Sequence, residues 1–356
     1  MKERRGGSAR RVSAPSRRRD RDLPAVACGG DRAAFSSDFP GLAELARRAG
    51  CEPVAVEILP GDVGRRRYLR LRMPAGGSVL GVVYPEEETD SRRRWLQAHA
   101  ALAPRVRVPE LIADDEAGNQ IVEDLGFEDL ASGLAARPET RAAGLASAIS
   151  AAASIAGMPD PGINPAFDFA LFRRELDLAR EAVFDLYLKD PLSDAQREAH
   201  DRWADALCRE ILEHPRALCH RDFHGNNLFP LAGEVAAIDF QDMRSGPDTY
   251  DIASLLWERT TLDWMTPEVA EETIAAFARR CGLELAPLRR RFDRVLLQRA
   301  WKVCGTFARA VAQGRGEIYR RYLPGEIALV GRLLSGSEAD RAFGKLYDAR
   351  LASLLS

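Results

Sequence analysis

Between Leu218 and Phe240 the chain reads LCHRDFHGNNLFPLAGEVAAIDF. Two short apolar runs, ALCH at 217–220 and VAAID at 235–239, read as strands around a polar, glycine-containing loop. Asp222 follows the first run, Asn227 comes five residues later, and Asp239 ends the second. A short β-hairpin of this kind cannot fold alone, so a larger scaffold has to hold it. A carboxylate able to accept a hydroxyl proton, with hard oxygen ligands for a magnesium ion close by, is what phosphoryl transfer requires. In that chemistry Asp222 is the candidate catalytic carboxylate, Asp239 the principal metal ligand and Asn227 its partner. His220 is expected to anchor the loop by hydrogen bonding to its backbone.

The surrounding pattern predicts a small sheet followed by many helices. Phe39 to Gly50 has apolar residues at helical spacing and a terminal glycine. VAVEIL, RYLRLRM and SVLGVVY then read as three antiparallel strands, broken by PGDVG and PAGG. A helix near 91–102, a strand near 109–113 and the strand QIVED complete this part. From Asp124 the chain is Ala/Leu-rich with helical periodicity, interrupted by PDPGINPAF. We therefore expect an α+β fold with a tail over 1–35, a β-rich N-lobe over 36–124 and a helical C-lobe over 125–356. A ligand cleft is expected between the lobes.

Charge and cysteine usage exclude several classes. The formal net charge is −2, from 51 basic and 53 acidic residues, which argues against a dedicated nucleic-acid binder. Residues 1–22 carry Lys2, eight Arg and three acidic residues, so the basic excess belongs to a low-hydrophobicity tail expected to be disordered. No apolar run approaches a membrane span. The six cysteines are scattered without metal-ligand spacing, as in a reduced, cytoplasmic protein. His99, His200 and His214 read as ordinary surface or partly buried imidazoles.

HRDFHGNN followed by IDFQD resembles the catalytic loop of protein kinases, HRDxxxxN and its magnesium aspartate. It is still more similar to the aminoglycoside phosphotransferase/choline kinase superfamily, in which HxDxxxxN precedes an IDF or IDW strand end. The resemblance implies a protein-kinase-like two-lobed fold with ATP and Mg2+ as cofactors. It implies that Asp251, in TYDIASLL, braces the catalytic loop. It further implies phosphate contact from Gly61, Gly64, Arg66 and Arg67, and adenine contact from the strand end at Glu123 and Leu125. No lysine lies between Lys2 and Lys189, so the lysine most relatives carry in the N-lobe is absent; an arginine within 65–72 is the expected substitute.

GDVGRRRYLR, YPEEETDSRRRWL, IDFQDMRSGPDTYDIASLL and LLQRAWKVCGTFARAV further resemble bacterial kinases that phosphorylate the anomeric hydroxyl of N-acetylmuramate and N-acetylglucosamine. The acceptor is then a small sugar, and the product a sugar 1-phosphate of peptidoglycan recycling. Arg244, Glu258, Arg299 and Lys302 are candidate sugar contacts, and Trp257 or Trp301 could stack on a pyranose, although a core position is the commoner fate of such a tryptophan. Two alternatives remain. One is the same chemistry on an aminoglycoside, a choline-like amine or another small hydroxyl compound. The other is a nucleotide-binding protein without catalysis.

Overall fold

The computed structural model describes residues 32–351, except 60–65, 258–259, 262–263, 315 and 335–336. The tail expected to be disordered therefore lies outside the described residues up to 31. Helix α1 (Arg32–Asp38) already occupies the last residues assigned to it. Gly61, Gly64 and Glu258 also fall outside the described residues.

The chain divides into two compact units, one running to Pro85 and including Leu111–Val122, the other comprising Glu86–Glu110 and Glu123 onward. In the first, α2 (Pro40–Arg48) precedes β1 (Ala55–Leu59), β2 (Arg67–Arg72) and β3 (Ser78–Val83). With β4 (Leu111–Asp114) and β5 (Asn119–Glu123) these form one sheet of order β1-β2-β3-β5-β4. The pairs β1–β2, β2–β3 and β4–β5 are antiparallel, with Ile58 opposite Leu69 and Leu69 opposite Gly81. Leu69, Leu71, Val56 and Ile121 on one face pack with Leu42, Leu45 and Ala46 of α2. Gly81 is needed there: a Cβ at that position would lie 2.6 Å from a methyl of Leu42.

Helix α3 (Thr89–Leu102) belongs with the second unit, contrary to the boundary expected at 124. The physical reason is aromatic packing and one ladder bond. Trp95 lies 5.4 Å from the ring of Phe240, and the Ala237 amide donates to the Arg107 carbonyl at 2.9 Å.

The rest of this unit is helical: α4 (Leu130–Ala136), α5 (Arg141–Ala156), α6 (Phe169–Arg180), α7 (Asp194–Leu212), and, after the strands, α8 (Tyr250–Leu256), α9 (Pro267–Cys281), α10 (Leu285–Ala312), α11 (Glu317–Leu333) and α12 (Glu338–Leu351). Local chemistry sets several ends. Asp129 and Asp168 cap α4 and α6, and Ser193 with Gln196 forms a full capping box on α7. The core of α7, α10 and α12 is aromatic. Trp203, Trp301, Phe343 and Tyr347 interlock there at ring separations of 4.1–6.2 Å. Trp301 is fully buried in this cluster, so its indole is core and not a sugar platform.

The expected hairpin between ALCH and VAAID does not form. β6 (Arg216–Cys219) pairs with β9 (Arg244–Pro247), and β8 (Glu234–Ala237) pairs with β7 (Leu228–Leu231). Each unforeseen partner is four residues long and contains a proline, which hides it from any alternation pattern.

Candidate active site

Strand β6 delivers the loop 220–227 and β8 ends just before Asp239. Backbone bonds join the two. The Ile238 amide donates to the Asn227 carbonyl at 2.9 Å, and Asn227 Nδ2 donates to the Asp222 carbonyl at 3.0 Å. Asp222, Asn227 and Asp239 are thus brought to one place. Because Nδ2 of Asn227 is engaged, its Oδ1 is the atom left for a cation. Asp239 accepts from Gln241 Nε2 through Oδ1 at 2.7 Å, leaving its other oxygen. Two hard oxygens beside one carboxylate fit a magnesium ion.

Two non-glycine residues here have left-handed backbone, Arg221 with φ 83° and Asp239 with φ 62°. Such conformations cost on the order of 1–2 kcal/mol and persist only where the surroundings hold them. At Arg221 the holding groups are visible. The buried Asp251 carboxylate accepts from the His220 amide at 2.6 Å and the Arg221 amide at 3.0 Å. Arg299 Nη1 donates to the Arg221 carbonyl at 3.4 Å, while its Nη2 donates to Ser254 Oγ at 2.7 Å. The expected brace from Asp251 is therefore present as two hydrogen bonds. Burial raises the pKa of Asp251 despite these amides and the neighbouring His220 and Arg299.

Several expected roles change. The ring of His220 is buried edge-on against Phe223 at 5.6 Å, and neither ring nitrogen has a hydrogen-bond partner among the described residues. The amide at 220 is taken by Asp251, so His220 anchors the loop by packing and not by bonding to backbone. Arg299 stands behind the loop with its guanidinium over the Tyr250 ring at 4.6 Å; Nη1 and Nη2 each donate to the protein while Nε has no partner among the described residues, so the geometry gives it a positioning part at the loop. Lys302 Nζ lies 3.1 Å from Glu175 Oε1. Arg66 and Arg67 lie over the rings of Tyr84 and Phe39 within the first unit. Glu123 is committed to Arg107 and Glu110: its carboxylate pairs with the Arg107 guanidinium and accepts from the Glu110 amide, and its own amide donates to the Glu110 carbonyl. Leu125 follows, half-buried, outside any regular element.

The electrostatics favour an ionised Asp222. Burial pushes its pKa up, but Lys302, Arg299, Arg221 and His224 together outweigh that and hold it below the ordinary aspartate value. Glu175, on α6, is the counter-charge: besides Lys302 it meets Gln298 Nε2 at 2.9 Å and Arg221 Nη2 at 3.6 Å. Glu175, Gln298, Arg221, Asp242 and Gln241 were not singled out from sequence. Arg221 left a trace as the R of HRD, Gln241 and Asp242 as the Q and D of FQD, and Gln298 as the Q of LLQRAWKVCGTFARAV; Glu175 left none. Another group, Asp177, His200 and Asp201, clusters closely enough to suggest a metal, but Arg173 already pairs with both carboxylates.

Comparison with known proteins agrees with this geometry. Residues 55–295 match the model of the phosphotransferase enzyme family APH. An N-acetylmuramate/N-acetylglucosamine kinase of Pseudomonas aeruginosa is 32% identical over 264 residues, covering 71% of this chain and 76% of that protein. The protein of the same name from Neisseria meningitidis serogroup B is 30% identical over 272 residues, covering 74% and 80%. Among solved structures, the ADP-bound aminoglycoside phosphotransferase APH(2'')-Ib superposes with a TM-score of 0.55 at 13% identity, covering 85% of this chain and 99% of that one. At that identity the likeness establishes the kinase-like fold. The chain belongs to the APH phosphotransferase family.

Proposed function

We propose that the protein transfers the γ-phosphoryl group of ATP to the anomeric hydroxyl of N-acetylmuramate and N-acetylglucosamine, giving the sugar 1-phosphate, a step suited to cell-wall recycling in the cytoplasm. The observation that supports this reading is the ionised, partly buried Asp222, on a loop bonded to Asn227 and to the strand end that carries Asp239, in a chain whose relatives bear that kinase name.

In this reading Asp222 accepts the lactol proton as the sugar oxygen bonds to the γ-phosphorus, the bond from that phosphorus to the β,γ-bridging oxygen breaks, and ADP leaves with the bonding pair. Asn227 Oδ1 and the second oxygen of Asp239 would hold the cation. When bound, magnesium supplies positive charge to the phosphate oxygens, which is its part in such reactions. Fixing the hydroxyl near a carboxylate that is already ionised contributes through orientation. Adenine and phosphate contacts from Gly61, Gly64, Arg66, Arg67, Glu123 and Leu125 remain part of the proposal.

The test is direct. Purified protein with ATP, magnesium and each sugar should give a product whose phosphorus NMR signal couples to the anomeric proton, and whose phosphate is acid-labile. Phosphate on the 6-position, or turnover only with amines, would overturn the assignment. An Asp222→Ala variant that folds and turns over normally would remove the catalytic role.

A further inference from the structure

The start of β9 places a second, unfinished arrangement of charged groups beside the loop. Arg244 is mostly buried, with a side chain 11% exposed, its guanidinium over the Phe167 ring at 5.6 Å. Its Nε donates to the Asp242 carbonyl at 3.1 Å, which fixes the plane of the group. Its Nη2 lies 3.9 Å from Asp242 Oδ1, too long for a hydrogen bond. The other oxygen of Asp242 lies 3.6 Å from Arg221 Nη1, also too long. Two guanidinium groups thus share one carboxylate that hydrogen-bonds neither.

The neighbourhood is built of charged and polar groups. Arg221 continues to Glu175, which also serves Lys302 and Gln298. Arg221, Arg244 and Lys302 are balanced by Asp242, Glu175 and the ionised Asp222, so what is unfinished here is the hydrogen bonding of Arg244 and not the charge. Tyr250 is fully buried, and its hydroxyl has no hydrogen-bond partner among the described residues. Burial first, and then the nearby Arg221, depress the pKa of Arg244 against the opposite pull of Asp242 and Glu175. A side chain desolvated to this degree, with terminal nitrogens short of acceptors, is what a carboxylate ligand would complete.

We propose that Arg244, set beside Arg221 across Asp242, receives a carboxylate carried by the acceptor, and so distinguishes acceptors that bear one from those that do not. The inference rests on the function proposed above. N-acetylmuramate differs from N-acetylglucosamine by a lactyl ether ending in a carboxylate, so Arg244 sets the preference between them.

The experiment compares kcat and KM for the two sugars in the wild-type protein, Arg244→Gln and Arg244→Lys. In Arg244→Gln the ratio of kcat/KM for N-acetylmuramate to that for N-acetylglucosamine should fall tenfold to a hundredfold, roughly what loss of a charge-assisted hydrogen bond produces. The change should appear in KM, because the contact is made equally in ground and transition states. Arg244→Lys, which keeps the charge but not the fork, should recover part of the ratio. The methyl ester of N-acetylmuramate should be insensitive to all three forms. Equal losses on both sugars, or an unchanged ratio in a folded Arg244→Gln protein, would overturn the inference alone. Failure of the wild-type protein to phosphorylate either sugar would instead overturn the proposed function, and this inference with it. If neither variant folds, the ester decides: wild-type kinetics equal for ester and acid would refute the carboxylate contact.

Discussion

Asp251 offers the sharpest test of how the loop is held. Its carboxylate takes two backbone amides, at 2.6 and 3.0 Å, inside the unit formed around α8 and α10. Asp251→Ala leaves both amides buried and unpaired, at about 1–3 kcal/mol each, so the loss should total about 2–6 kcal/mol. Asp251→Asn keeps one acceptor oxygen but turns an NH2 toward the second amide. It also removes a buried charge whose desolvation is already costly, as the raised pKa of Asp251 indicates. Its loss should therefore sit near about 1–3 kcal/mol, below that of the alanine variant. Activity should fall further than stability. Arg221 keeps its φ of 83° only while its amide and carbonyl are held, and Asp222 is the next residue. Relaxation of that backbone shifts the Asp222 carboxylate, and a displacement of about 1 Å can cost on the order of a hundredfold in rate. Urea unfolding gives the stabilities, and initial rates under conditions where each variant is folded give kcat. An alanine variant with an unchanged unfolding midpoint and full kcat would refute the bracing argument.

Other perturbations have equally definite outcomes. His200 and His214 are buried and held neutral, burial pushing the pKa of each down from 6.5 to about 4. The unfolded chain takes up those protons first as pH falls below 6.5, so stability should drop by about 2 kcal/mol per histidine between pH 7 and 5, measured by urea unfolding at each pH, and His200→Leu should flatten that slope. Lys302→Met leaves Glu175 without its nearest cation and should cost about 3 kcal/mol, whereas Lys302→Met with Glu175→Leu should cost less than the two single changes summed, as a double-mutant cycle will read. Gly305→Ala would place a Cβ 2.3 Å from the Ala179 backbone where α10 crosses α6, and its thermal midpoint should fall by the equivalent of about 1–3 kcal/mol.

The fold was legible in the sequence where periodicity or loop chemistry was strong. The strands β1 to β3, the helix α2 and the set Asp222, Asn227 and Asp239 all emerge from local pattern. What stayed hidden depends on contacts far along the chain. Strands β7 and β9 are short and carry Pro230 and Pro247, so their pairing is decided by their partners and not by their own propensity. Helix α3 looks like part of the small lobe by position, yet Trp95 finds its packing partner at Phe240. Glu175 reads as an unremarkable helix residue, and Gln298, though it stands in LLQRAWKVCGTFARAV, shows no role of its own. Only the approach of α6 to α10 gives them a charge to balance.

That approach explains how a carboxylate can be buried and still ionised. Removing Asp222 from water favours its neutral form, and the loop itself offers only His224 and the guanidinium of Arg221 in return. The remaining positive charge comes from Lys302 and Arg299, both on α10. A lysine and two arginines could not gather there unaided, because their mutual repulsion would oppose packing. Glu175 at the facing helix relieves it, touching Lys302 and Arg221 together. Two residues of α10, with Glu175 of α6 as their counter-charge, thus contribute to the ionisation at the loop from outside the motif. A shift of α6 against α10 would alter Asp222 without moving any residue of HRDFHGNN. Gly305, which permits the close crossing, is for that reason as much a part of the site as the residues the motif displays.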